Sequence, residues 1–215
     1  RPNDSLKASK QTRFKILRSE KNLFVLIDLF TDGNKFVTPS LRRDFDTFGG
    51  DTITLLFDTF NDGTNAFSFT TNPLGLKKEG LISGGNQNYR TDRNYSWDTK
   101  WLVESKIYED RYSVEIKIPL TSLFYNNSSS FWRLNIYRGN AQNNEYSVWA
   151  RTPQNQIIGN LAFMGKMVFD KPLKKARNPL SVIPYISGIS QKDFLNKSSA
   201  SNSGLGGDAK IPIGN

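Results

Sequence analysis

Two indoles four residues apart frame a carboxylate in Trp97-Asp98-Thr99-Lys100-Trp101, and another stands at Trp149, just beyond the polar run Ala141–Glu145. An exposed indole offers a flat apolar face that can stack on the C–H face of a sugar ring, while the ring's hydroxyls need amides and charged donors. Asn72, Arg138, Asn143 and Asn144 could supply these. On a strand, Trp97 and Trp101 would share one face about 13 Å apart; on a helical turn they would nearly touch. Both rings would suit a core equally well, and the spacing leaves the two readings open. Trp132 alternates in phase with Leu134 and Ile136 and reads as core.

A second set of candidates is acidic. Asp44, Asp46, Asp51, Asp58 and Asp62, with Asn61, crowd one stretch of chain and could offer hard oxygen ligands to calcium, though their spacing does not match an EF-hand loop. The competing reading is a turn. Asn61-Asp62-Gly63 lies between two apolar runs and is a type I′ hairpin signal, in which Asp62 bonds only the local backbone. Asp98, Glu104 and Glu115 are the carboxylates from which a glycosidase pair could be drawn. Glu115, however, falls on the outer face of a regular strand beside Lys117, where a solvated or cross-strand ion pair is expected.

What is missing narrows the chemistry further. The 215 residues contain no His and no Cys. That removes the usual general base, the Ser-His-Asp triad, thiol nucleophiles, disulfides and most transition-metal sites. Met164 and Met167 are the remaining conventional haem ligands, and both sit in an apparent strand. The expectation is a protein that presents a surface and is not an enzyme. The net charge of +9 is partly concentrated in Lys171–Arg177, and no recognition motif accompanies it, so no nucleic-acid partner is expected. No run of 18 apolar residues could form a spanning helix. The chain opens on Arg1, not Met, which suggests a piece of a longer product.

The elements that must position these residues are strands. Arg111–Pro119 alternates most clearly, with Tyr112, Val114, Ile116 and Ile118 on one face and Arg111, Ser113, Glu115 and Lys117 on the other. Leu120–Leu123 reads as one helical turn. Further strands are predicted over 13–18, 23–30, 52–60, 65–71, 99–108, 132–138, 146–150 and 159–169, with 23–30 apolar enough to lie at the centre of a sandwich. Many short strands with hardly a helix predict an all-β fold, a two-sheet antiparallel β-sandwich of jelly-roll or immunoglobulin-like type over residues 1–170. Residues 171–180 read as a linker, and 181–191 and 204–213 as two more alternating segments, the start of a larger β-structure.

Six pieces taken together resemble one family. They are Arg42-Arg43-Asp44 through Gly49-Gly50-Asp51 to Phe57-Asp58 and Asn61-Asp62-Gly63; Asn72-Pro73-Leu74-Gly75; Trp97 to Trp101; Val114 to Pro119; Trp132 to Arg138; and Asn144-Glu145 with Trp149. In this order they resemble the family-9 carbohydrate-binding-module-like domain that precedes an outer-membrane β-barrel in proteins typical of Bacteroidetes. Gly206-Gly207-Asp208 onward is similar to the start of that barrel, here truncated. The opening Ile-Asp-Gly-like strand and Trp of such domains are missing.

The resemblance implies a β-sandwich over most of 12–170 and a barrel start over 181–215. It implies glycan binding, for which the candidate contacts read from the residues are Trp97, Trp101, Trp149, Asn72, Arg138 and Asn144 without any Trp being matched to the family's sugar clamp, and structural calcium, for which the candidate ligands are Asp44, Asp46, Asp51, Asp58 and Asp62. The setting would be the outer membrane, with the sandwich periplasmic or on the cell surface. The alternative is a plug or interaction domain that docks on its own barrel or on a partner protein and binds no sugar.

Overall fold

The computed structural model describes residues 6–126, 129–174 and 181–210, and the chain divides into two units, 1–176 and 177–215. The first unit is built from β1 (Thr12–Arg18), β2 (Asn22–Phe30), β3 (Thr52–Asp58), β4 (Ala66–Thr71), β5 (Lys78–Ile82), β6 (Arg93–Asn94), β7 (Leu102–Ile107), β8 (Arg111–Pro119), β9 (Phe131–Asn140), β10 (Glu145–Val148) and β11 (Gly165–Val168). All pair antiparallel. One sheet has the order β1-β2-β8-β7; the other runs β10-β9-β3-β4-β5-β6, with β11 also on β9.

The core explains why these segments are strands. Leu23, Val25, Ile27 and Leu29 of β2, and Tyr112, Val114, Ile116 and Ile118 of β8, meet Ile53, Leu55 and Phe57 of β3 and Trp132, Leu134 and Ile136 of β9 in one apolar cluster. Every second residue of each strand points into it, the period a half-buried strand requires. The alternation read from residues 111–119 is present residue for residue, and Trp132 is core as expected. At 25 cal/mol per Å2, each fully buried large side chain contributes about 2 kcal/mol.

Three readings change. Residues 23–30, expected at the centre of the sandwich, put only one face into its core, because Phe24 and Leu26 face outward and are each 38% exposed. The strands buried throughout are β3 and β4. They lie mid-sheet, with a second apolar cluster of Leu56, Ala66, Ile82, Tyr137, Ile158 and Leu161 on the outer face. The segment 159–169 is mostly loop and one helical turn (Leu161–Phe163), leaving only Gly165–Val168 as strand. The predicted linker begins inside the sandwich: Leu173 is buried in the core, the Lys171 carbonyl accepts from Arg18, and the Lys174 carbonyl accepts from Tyr125. Residues 175–180 lie outside the described residues.

The second unit is a long hairpin of β12 (Ser181–Asp193) and β13 (Ser198–Lys210), paired in register from Ser181 opposite Lys210 to Asp193 opposite Ser198. Lys197 in the turn has φ +51°, and Asp193 Oδ1 accepts the Leu195 and Asn196 amides.

Candidate functional site

At one edge of the sandwich the two sheets leave a cleft of about 500 Å3. Its first wall is β1, through Thr12 and Phe14, with the segment 7–11 leading into it; its second is Ser147, Val148 and Trp149; Ile53, Ile136 and Arg138 complete the lining. The register places these groups together. Arg138 lies opposite Ile53 on one side and Ser147 on the other, so all three side chains point the same way, into the space between the sheets.

The position of Trp149 follows from how β9 is paired. Its second half pairs with β10 and its first half with β11, and Trp149 falls at the joint between them. Its amide bonds the Ile136 carbonyl at 2.8 Å. The backbone polar groups that the break would leave unpaired are taken by the buried Asn135 side chain. Its Nδ2 donates to the carbonyls of Ala150 and Phe163, and its Oδ1 accepts the Ala150 amide. The indole rests over Gly165, where any Cβ would come within 2.5 Å of the ring, and Phe14 meets it edge-on with centroids 5.6 Å apart. Trp149 stays 48% exposed, a rigidly seated ring with one side open.

The mouth is tied across. The Ser9 amide donates to both carboxylate oxygens of Glu145 at 3.2 Å, and Asn143 Nδ2 donates to Ser9 Oγ at 2.9 Å. Arg138 is 2% exposed; it donates to the Phe30 carbonyl at 2.8 Å and, at 3.3 Å, to the Gln11 carbonyl and Thr12 Oγ1.

Of the six residues named from sequence as glycan contacts, the cleft gathers Trp149 and Arg138. Asn144 sits with φ +48° in the turn between β9 and β10, beside the residues that tie the mouth. The other three lie elsewhere. Trp101 is 1% exposed, packs on Phe69 and donates its indole N–H to Glu79 at 3.0 Å. Trp97 is packed against Phe67 and Phe69. Asn72 is buried, its Oδ1 accepting the Leu74 and Leu76 amides to shape a turn. Trp101 is therefore core and Trp97 is partly buried against it, so the pair is not an open clamp, because Phe67 and Phe69 of β4 supply two phenyl rings for it to cover. Phe14, Asn135 and Gly165 shape the cleft and were missed in the sequence. Only Gly165, a lone glycine in a short strand, carried a signal of close approach.

The acidic stretch is dispersed. Asp51 bridges the Val37 and Ala141 amides; burial raises its pKa, and those two bonds and the Arg138 charge oppose the rise. Asp58 accepts the Asp62 and Gly63 amides and lies 3.7 Å from Arg133. Asp62 accepts from Thr64 and Asn65, and although partial burial raises its pKa, those bonds carry it below the usual value. Asp46 caps the Phe48 amide, and Asp44, with φ +58°, pairs with Arg43. Among the described residues no three Asp, Glu, His or Cys side chains come together to hold a metal ion. Four of the five carboxylates are engaged by backbone amides, those of Asp51 from distant segments, and Asp44 by the Arg43 side chain. The hairpin reading changes as well: β3 and β4 are joined by residues 59–65, longer than a two-residue turn, with Asn61 and Gly63 at positive φ.

No family model matches the chain, and no curated protein is significantly similar to it. Among solved structures, the chain resembles a putative carbohydrate-binding protein from Bacteroides uniformis, with a TM-score of 0.60 at 11% identity, covering 75% of this chain and 79% of that one. It also resembles a family-9 carbohydrate-binding module from Caldicellulosiruptor kristjanssonii, solved with glucose, with a TM-score of 0.51 at 14% identity, covering 81% of this chain and 83% of that one. The same module with cellotriose gives 0.51 at 13%, covering 81% and 80%. These likenesses establish the fold.

Proposed function

We propose that the sandwich is a non-catalytic carbohydrate-binding domain and that the Trp149 cleft is its glycan site. The carrying observation is a half-exposed indole, fixed over Gly165 and against Phe14, in a cleft where hydroxyl, amide and cationic groups stand beside the apolar Ile53, Ile136 and Val148. A ring stacked on Trp149 would place its hydroxyls toward Thr12, Ser147 and Lys10, the division of apolar face and polar edge that sugar recognition needs. The resemblance to sandwiches described as carbohydrate-binding supports the reading. Calorimetric titration with glucose and cellotriose tests it, with Trp149 emission as a second readout. Binding that Trp149→Ala abolishes is the expected result; heat that survives the substitution would place the sugar elsewhere.

The finer reading is a place at the outer membrane, with residues 181–210 as the first strands of a barrel. Each strand of the hairpin has 13 residues, and about 9–11 suffice to cross a bilayer when tilted. Val182 and Ile186 share one face with Leu205 and Ala209 opposite them in register. Because the chain lacks Cys, single cysteines at consecutive positions 186–189 can be probed in intact cells with a membrane-impermeant maleimide. Labelling that alternates along the strand is expected; uniform labelling sinks the barrel reading. The competing view, a docking domain without sugar, has its own observation. Leu17, Phe24 and Leu102 form an exposed row across the small sheet, with Lys117 among them. No heat with any glycan, together with a stable protein complex, would favour it.

A further inference from the structure

The cleft is cationic, and its deepest charge lacks an ionic partner. Lys7, Lys10 and Arg138 contribute to its lining, and no Asp or Glu does. Lys10 pairs with Asp32 at the surface. Arg138 is different: at 2% exposure its guanidinium has no carboxylate within ion-pair distance among the described residues, its bonds go to neutral oxygens, and Nε has no partner at all. The Tyr112 hydroxyl, which also interacts with this charge, is likewise buried and unpartnered. The two carboxylates that act on Arg138 from further away are committed elsewhere, Asp51 to the Val37 and Ala141 amides and Glu145 to the Ser9 amide. A buried arginine normally lies against a carboxylate, because a desolvated charge left without one is costly. Consistent with that cost, burial draws the pKa of Arg138 below its usual value.

Building on the glycan reading of the cleft, we infer that its ligand is an acidic sugar, a uronate, whose carboxylate takes the place of the missing counter-ion. The planar carboxylate suits a guanidinium better than a lone ammonium would, and Lys7 and Lys10 at the outer wall add attraction during approach. Stacking on Trp149 and charge at Arg138 then select different parts of one residue: the ring face and the C6 substituent. A neutral hexose satisfies only the first.

The test uses three trimers of similar size on the whole chain at low ionic strength: trigalacturonate, its fully methyl-esterified form, and cellotriose. The free acid is expected to bind roughly tenfold more tightly than its ester, and Trp149→Ala is expected to abolish both. Arg138→Gln should erase the preference, bringing the acid down to the affinity that the same variant has for the ester. Should that variant fail a near-ultraviolet circular dichroism check for folding, the double variant Lys7→Gln/Lys10→Gln decides. It removes two charges from the outer wall, that of Lys10 being already paired with Asp32, and should cut the preference about threefold. Equal affinity for acid and ester would overturn the inference while leaving the glycan reading standing. Preference for the acid that persists in Trp149→Ala would also overturn it, as binding of charge outside the cleft. No binding of any trimer would bring down both.

Discussion

Trp101 and Trp149 are the same side chain put to opposite uses. Trp101 packs on the core face of β4, and everything around it closes: Phe69 meets it edge-on, Lys77 Nζ lies 5.7 Å from the ring centre, and the buried Glu79 carboxylate accepts its indole N–H. Arg43 reaches the same carboxylate from outside and also bonds Asp98. Trp149 sits where β10 ends and β11 has not begun, with a glycine beneath it and an open cleft in front. One region uses an indole as a sealed packing unit with a polar handle, the other as a platform. What separates them is what lies across the sheet from each ring, not the ring itself.

The sharpest way to break that contrast is to delete each ring. Trp101→Ala empties a closed site and strips the indole donor from a carboxylate that is 1% exposed, so it should cost roughly 3–5 kcal/mol. Trp149→Ala, half-exposed already, should cost about 1 kcal/mol. Urea unfolding midpoints at constant m would show the gap. Equal costs would mean that the two environments are not energetically distinct.

A gentler change addresses the platform alone. Gly165→Ala brings a methyl to within 2.5–2.6 Å of Trp149 Cζ3 and Cη2, and the indole must swing away. Because the obstructing atoms are the free end of a side chain, the stability loss should stay near 1 kcal/mol. The emission of Trp149 should shift, and glycan binding should fall well beyond what that loss explains. An unchanged spectrum with full binding would show that the seat on Gly165 does not set the ring's pose. Acrylamide quenching gives the same contrast without disturbing the fold: Trp149→Phe should remove the most quenchable component of the emission, since Trp101 and Trp132 are sealed and Trp97 is partly covered.

The comparison also shows where sequence reasoning had purchase. Period-two alternation located β2, β8 and β9 and put Trp132 in the core, because a half-buried strand writes its buried face directly into residue order. It missed β5, where the charged Glu79 is buried between the part-buried Lys78 and Leu81, and β6, whose two residues Arg93 and Asn94 are polar and too few to alternate. Nor could a Trp-x-x-x-Trp spacing say whether its rings were open. That depended on Phe67 and Phe69, remote in sequence. Trp149 and Arg138 were named as contacts, but their meeting at the sheet edge depends on the pairing of Arg138 with Ser147, a relation visible only in the fold.

The smallest expected effect is a pH signature confined to the sealed region. Burial pushes the Glu79 carboxyl above its usual 4.5, against the indole N–H of Trp101; the neighbouring Asp98 adds to the rise, and the Arg43 charge opposes it. The folded protein therefore binds this proton more tightly than the unfolded chain. The stabilisation is fully present below pH 4.5 and is lost as pH rises through the higher folded value. Asp98 is held below its usual 3.8, first by its hydrogen bond with Glu79 and then by Arg43, so its own contribution is lost only as pH falls below that range, outside this window. Glu79→Gln cannot titrate. The stability of the native protein relative to this variant should decline as pH climbs from about 4.5, then level off. The same comparison for Trp149→Phe should show no slope, since among the described residues no carboxylate bonds that indole. A slope at Trp149 and none at Glu79 would reverse the assignment of sealed and open.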